Sequence, residues 1–143
     1  HGDAIAFLSD AEPGSYGAAL AIQVVEHLEL DALLAVVELA DAALRDGGRL
    51  VLETPNPASL IVLGNSYLLD PTHVRPLHPS LLSFLVERAG FRDVRLAFYE
   101  PATGYQLDLL ELDEPWARQV NQAFRKLNDV LFGPQDYAVI ATK

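Results

Sequence analysis

The chain has 143 residues, half of them hydrophobic, with a formal net charge of −10 and neither cysteine nor methionine. That much apolar chain can bury one domain's core, whereas its acidity excludes binding to nucleic acid or anionic membrane through bulk electrostatics. Disulfides and thiolate metal sites are excluded too, which fits a reducing, cytoplasmic setting, and no apolar run nears the ~20 residues that span a bilayer.

The chain opens His1-Gly2-Asp3 with no initiating methionine, so we expect a processed or cropped boundary and a longer parent protein. Asp3 heads AIAFL, a segment that reads as a turn of helix with Asp3 as its cap. Gly14 to Val25 supplies a turn and then an almost wholly apolar run, the pattern of a strand buried on both faces of a covered parallel sheet. In LDALLAVVELADAALRDGG, the residues Leu33, Leu34, Val37, Ala40 and Leu44 recur at helical spacing. Asp31 is placed to cap that helix, and Gly47-Gly48 to end it. Arg49 to Pro55 (RLVLETP) reads as a second buried strand, stopped by Pro55 and Pro57.

Residues 56–79 read as irregular and proline-punctuated. HPSLLSFLVERAGF then predicts a helix, with Pro79 in its first turn and Gly90 at its stop. Asp93 to Glu100 predicts a strand. A helix follows from about Glu114 to Phe132, with Trp116, Val120, Phe124, Leu127 and Leu131 on one stripe that suits a core or a homodimer face, core being favoured. Tyr137 to Lys143 closes the chain as a strand whose direction the order leaves open. Alternating strands and helices give an α/β layout, whose ligands bind beyond the carboxyl ends of the strands.

AIQVVEHLELDALLAVVELADAALRDGGRLVLETPNP resembles the middle of a class I S-adenosylmethionine (SAM)-dependent methyltransferase. VVEHL stands just after its fourth strand, and ALRDGGRLVLETPNP is similar to its helix end, glycine turn and fifth strand. NSYLLDPTHVRPLHPSLLSFLVERAGFRDVRL resembles a bacterial subgroup associated with polysaccharide and O-antigen genes, whose acceptors are sugar hydroxyls or phosphate termini. The likeness covers most of residues 1–100 and the closing strand. It implies a Rossmann-like methyltransferase sheet without its N-terminal strands and glycine-rich loop. The chain would then be the C-terminal part of a methyltransferase domain, 1–143 forming a single unit.

The same resemblance assigns candidate roles. Asp3 matches the acid that accepts from the adenine amino group of SAM, and Gln23 lies on the cofactor side. Glu26 and His27 lie on the rim facing methyl donor and acceptor. His27 is the leading candidate to take a hydroxyl proton, since an imidazole does so near neutral pH, with Glu26 orienting it. Both also have a plain reading as a first-turn acid and a helix-entry residue. Ubiquinone-pathway O-methyltransferases resemble this region but carry an acid where this chain has Gln23, a poor hard-cation ligand, so no metal is expected.

Glu53 interrupts an apolar strand and needs a partner if buried, near the acceptor or against DPTHVRPLHP; Asn56-Pro57 is a turn signal. In DPTHVRPLHP, Asp70, His73, Arg75 and His78 allow three readings. The first is an acceptor-site loop stiffened by Pro71, Pro76 and Pro79, with Arg75 as an anion clamp. The second is an internally bonded turn with His78 capping the next helix, and a metal site is third. The sequence therefore predicts methyl transfer from SAM to an oxygen of a saccharide or similar small molecule. The alternative is a non-catalytic α/β module for partner binding or dimerisation.

Overall fold

Two apolar strands in parallel register carry the molecule. The computed structural model describes residues 2–143. In chain order these form α1 (Ala4–Ser9), β1 (Tyr16–Ile22), α2 (Leu30–Ala43), β2 (Leu44–Pro55), α3 (Leu60–Gly64), α4 (Pro79–Arg88), β3 (Arg92–Pro101), α5 (Pro115–Leu131) and β4 (Pro134–Thr142). The sheet order is β1-β2-β4-β3, with β1 and β2 parallel and β4 antiparallel to both of its neighbours. This is the predicted α/β architecture, and it settles the direction of the closing strand.

The core lies on one sheet face. Leu50 and Leu52 of β2 and Val139 of β4 pack against Leu33 and Val37 of α2 and Leu82 and Val86 of α4. Strand periodicity turns Leu20 and Ile22 of β1 to the other face, where they are 66% and 47% exposed. β1 is therefore an edge strand covered on one side, not the doubly buried strand that its composition suggests.

Two further expectations are corrected. The helix does not run to Gly47-Gly48: α2 ends at Ala43 and β2 starts at Leu44. The glycines serve a bulge instead, where the β1–β2 register shifts between Tyr16 and Ala18. Gly47 has φ +73°, and a Cβ on Gly48 would lie 2.7 Å from the Arg45 carbonyl oxygen, so neither position suits a larger residue. Asp31 lies in the first turn of α2; the cap is Glu29, whose side chain makes no capping bond. The start of α4 is as predicted: His78 is the cap, Pro79 opens the helix, and the His78 Nδ1 accepts from the Ser80 N–H at 3.2 Å.

In α5 the apolar stripe is only partly covered, with Val120, Phe124 and Leu131 half-buried. Trp116 and Leu127 are 54% and 45% exposed, whereas Ala117, Asn121 and Asn128 are buried. The two asparagines pair with the backbone of the preceding segment. Asn121 accepts from the Leu110 N–H (2.8 Å) and donates to its carbonyl (3.0 Å). Asn128 does the same for Leu107 at 2.8 and 2.9 Å. Seven helical residues rise about 10.5 Å and three extended residues span about 10 Å, so the two amides are spaced to match these two peptide units. Among the described residues, no helix is long and apolar enough to cross a membrane.

Replacing Asn121 by Leu strands both Leu110 groups and should destabilise the fold by about 1–3 kcal/mol in urea unfolding. Asn121→Asp keeps the acceptor but sets a carboxylate oxygen against the Leu110 carbonyl, so any recovery over Leu should appear only at acid pH, where the protonated acid can donate. An unchanged midpoint for Asn121→Leu would show that the ladder does not hold this segment.

Candidate functional site

The site forms where the chain leaves β1. Gln23 adopts φ +53°, which swings the chain off the strand while its N–H still bonds the Glu53 carbonyl at 2.9 Å. One turn of 3-10 helix, Val25–His27, follows and buries Val25 and Glu26 completely. A buried carboxyl group needs partners. Glu26 Oε2 accepts from the Thr54 hydroxyl at 2.8 Å, while its Oε1 is buried with no partner.

The DPTHVRPLHP loop closes over this turn, with the Val74 N–H donating to the Glu26 carbonyl at 2.8 Å. Asp70 Oδ1 accepts from both the Thr72 N–H (2.8 Å) and the Thr72 hydroxyl (2.6 Å). These bonds, the hydroxyl's first, hold the Asp70 carboxyl below its ordinary range. The Thr72 proton is thereby committed, so its 2.9 Å contact with His27 Nδ1 requires the imidazole to donate. In its neutral form His27 thus carries its proton on Nδ1 and a lone pair on Nε2. His73 follows the same logic: its Nδ1 lies 2.8 Å from the Tyr67 carbonyl, which can only accept. The His73 ring lies tilted against both neighbours, at centroid distances of 4.3 Å from Tyr67 and 4.8 Å from His27.

The result is a convergence. One ligand atom each from Glu26, His27 and His73 lies within 4.8 Å of the other two, and His27 Nε2 stands 3.8 Å from Glu26 Oε1. The Tyr67 hydroxyl is also buried without a partner, and burial followed by the Glu26 charge raises its pKa.

The other candidates lie elsewhere. His78 caps α4 and does not join His73, the loop's other histidine. Arg75 donates from Nη2 to Glu29 at 3.2 Å. Glu53 alternates with Thr54 and so occupies the opposite sheet face. There its charge acts on Tyr99, whose pKa is raised chiefly by burial; it does not pack against the proline-rich loop. Gln23 Nε2 donates to Asp136 at 2.9 Å. Asp3 caps α1 through an Oδ1 bond to the Ala6 N–H (2.8 Å). It also stands at a cleft of about 460 Å³ lined by Phe7, Tyr16, Ala21, Val24 and Val36. Asn56 is structural, donating to the Pro134 carbonyl and accepting from the Ala58 N–H.

The sequence did not single out the Thr72 hydroxyl or the Tyr67 carbonyl. Only Thr72 carried a usable signal, since Asp-x-Thr favours the side-chain-to-backbone turn seen here.

No protein-family model matches the chain, and no curated protein does. Among solved structures, a SAM-dependent methyltransferase from Archaeoglobus fulgidus is 38% identical and superposes with a TM-score of 0.89. That match covers 99% of this chain and 66% of the other. A Haemonchus contortus phosphoethanolamine N-methyltransferase in complex with S-adenosylhomocysteine matches 99% of this chain and 36% of its own, at 13% identity and a TM-score of 0.61. A SAM-dependent methyltransferase from Thermotoga maritima matches 94% of this chain and 59% of its own, at 18% identity and a TM-score of 0.58. The chain thus spans less than two thirds of each of these proteins, and the two remote ones share its fold alone.

Nitrogen-15 NMR of the imidazoles should find His27 and His73 both protonated on Nδ1. Thr72→Val should release His27 to a tautomer mixture and leave His73 unchanged; an Nε2-protonated His27 in the parent would contradict the network. Asp70 supplies a pH test. Its lowered pKa contributes stability that is present above the ordinary carboxylate value of ~3.9 and is lost as pH falls through the lowered value. Asp70→Asn should remove that part of the acid limb in a stability–pH profile.

Proposed function

We propose that this chain, which has the class I fold of the SAM-dependent methyltransferases, works in the transfer of a methyl group from SAM to an oxygen of a saccharide or similar small molecule. The observation that supports it most is the polar cluster at the carboxyl ends of β1 and β2, in a chain 38% identical to an archaeal SAM-dependent methyltransferase over 99% of its length. The described residues suit the cofactor in part: an apolar cleft with one carboxylate beside it matches an adenine ring with its exocyclic amine. Asp3 would hold that amine through the oxygen that the helix cap leaves free, and Gln23 would line the donor side. When bound, SAM supplies a sulfonium-activated methyl group, which an acceptor oxygen can take as the carbon–sulfur electron pair returns to sulfur.

The chain's own residues would place that oxygen and remove its proton. His27 presents Nε2 as the acceptor for the hydroxyl proton, with its orientation fixed through Thr72 and Asp70. Glu26, held by Thr54, lies beside it to stabilise the imidazolium that results. His73 would border the acceptor. Arg75 keeps N–H groups beyond its exposed pair with Glu29 for an anionic substituent, and Glu53 would act from the opposite sheet face. Positioning contributes much of the acceleration in such a reaction. The cysteine-free composition fits a cytoplasmic enzyme.

Calorimetry with S-adenosylhomocysteine, on the protein encoded by the complete reading frame, tests this reading. Binding is expected. Asp3→Ser preserves a helix cap but removes the carboxylate, so it should weaken binding about tenfold, or ~1.4 kcal/mol, at unchanged thermal stability. No binding by the parent protein would overturn the proposal and favour a non-catalytic module.

A further inference from the structure

We infer that Glu26, His27 and His73 form a binding site for one divalent first-row transition cation. The first reason is the orphaned oxygen. Glu26 Oε1 is buried without a hydrogen-bond partner, and a carboxyl oxygen in the interior is costly unless a cation, a proton or a donor meets it. The nearby guanidinium of Arg75 is directed to Glu29 instead.

The second reason is the direction of the lone pairs. Both imidazoles donate from Nδ1 to outer partners, His27 to Thr72 and His73 to the Tyr67 carbonyl, which leaves each Nε2 able to coordinate. Glu26 is likewise braced on its far oxygen by Thr54. Ligands fixed from behind in this way characterise metal sites, where the outer bonds set tautomer and ring orientation.

The third reason is spacing. Ligands ~2.1 Å from one ion stand roughly 3–3.5 Å apart. The His27–Glu26 separation is 3.8 Å and one ligand atom from each of the three residues lies within 4.8 Å of the others, so the set must draw together to close the shell. Two imidazoles and one carboxylate suit zinc, iron(II), cobalt or nickel over calcium or magnesium, and leave coordination positions open. The sequence argued against a metal because Gln23 stands where related enzymes carry an acid; Gln23 is indeed bonded to Asp136, and His73 arrives from the loop as the third ligand instead.

The use of the cation rests on the methyl-transfer reading. A hydroxyl bound at an open position would be acidified by the metal and would pass its proton to solvent water, with His27 serving as ligand and not as base. Cation binding itself is independent of that reading.

The test is titration of chelator-stripped protein with Zn²⁺ by calorimetry and with Co²⁺ by visible absorption, without cofactor. One equivalent should bind, with a cobalt spectrum of nitrogen–oxygen ligation. His27→Ala and His73→Ala should each lose at least tenfold in affinity, with folding checked by circular dichroism. Thr72→Val, which keeps every ligand, should also lose affinity. A His1→Ala/His78→Ala variant should bind as the parent does. Absent binding, undiminished binding in both single-histidine variants, or loss in the His1/His78 variant would overturn the inference. A protein that binds S-adenosylhomocysteine but no cation sinks this inference alone; one that binds the cation but no S-adenosylhomocysteine sinks the methyltransferase reading alone.

Discussion

The hydrogen bond from Thr54 to the buried Glu26 is the constraint on which the candidate site depends. Thr54 is near the end of β2 and Glu26 is in the turn after β1. Their bond fixes the ends of two parallel strands against each other, at the place where an open α/β sheet offers its ligand crevice. It satisfies only one carboxylate oxygen. Burial of the second makes the position costly unless a proton, a cation or a donor is supplied. A cost of that kind, retained at the strand ends and absent from the apolar core beneath, is the mark of a site and not of a packing residue.

Everything on the loop side is arranged to meet that carboxylate. Pro71, Pro76 and Pro79 restrict the chain, the Val74 amide bonds the Glu26 carbonyl, and the Tyr137 hydroxyl donates to the Leu77 carbonyl at 2.7 Å. Tyr137 is completely buried on β4, so this last bond anchors the loop to the middle of the sheet. The loop can then hold His73 over the turn with little ordering left to do when a ligand arrives.

Much of the framework was legible in the residues. The apolar runs gave the strands, and His78-Pro79 with Gly90 gave α4, because local chemistry decides those features. The α5 stripe misled because periodicity records only apolar side chains; that helix is held to its neighbour by two asparagines spaced to the peptide units they bind. Gly47-Gly48 misled because a helix stop and a strand bulge both require positive φ or missing side chains. At the site, Glu26, His27 and His73 could each be named, but their meeting could not. It depends on a loop path set by bonds to the Tyr67 and Glu26 carbonyls, which no side-chain pattern encodes.

The density of DPTHVRPLHP invited a joint role for its two histidines, and the structure divides them. His78 spends its Nδ1 lone pair on a helix cap, whereas His73 spends its Nδ1 proton on a carbonyl and keeps its Nε2 lone pair. The chemistry of each imidazole follows from which of its nitrogens the backbone occupies, not from its sequence neighbours. The same rule governs His27, where the Asp70–Thr72 pair performs the backbone's part. A base and a metal ligand both need an imidazole in this tautomer with Nε2 free. The Asp70–Thr72 pair therefore serves either chemistry equally, and the unpaired oxygen of Glu26 is the feature that favours a cation.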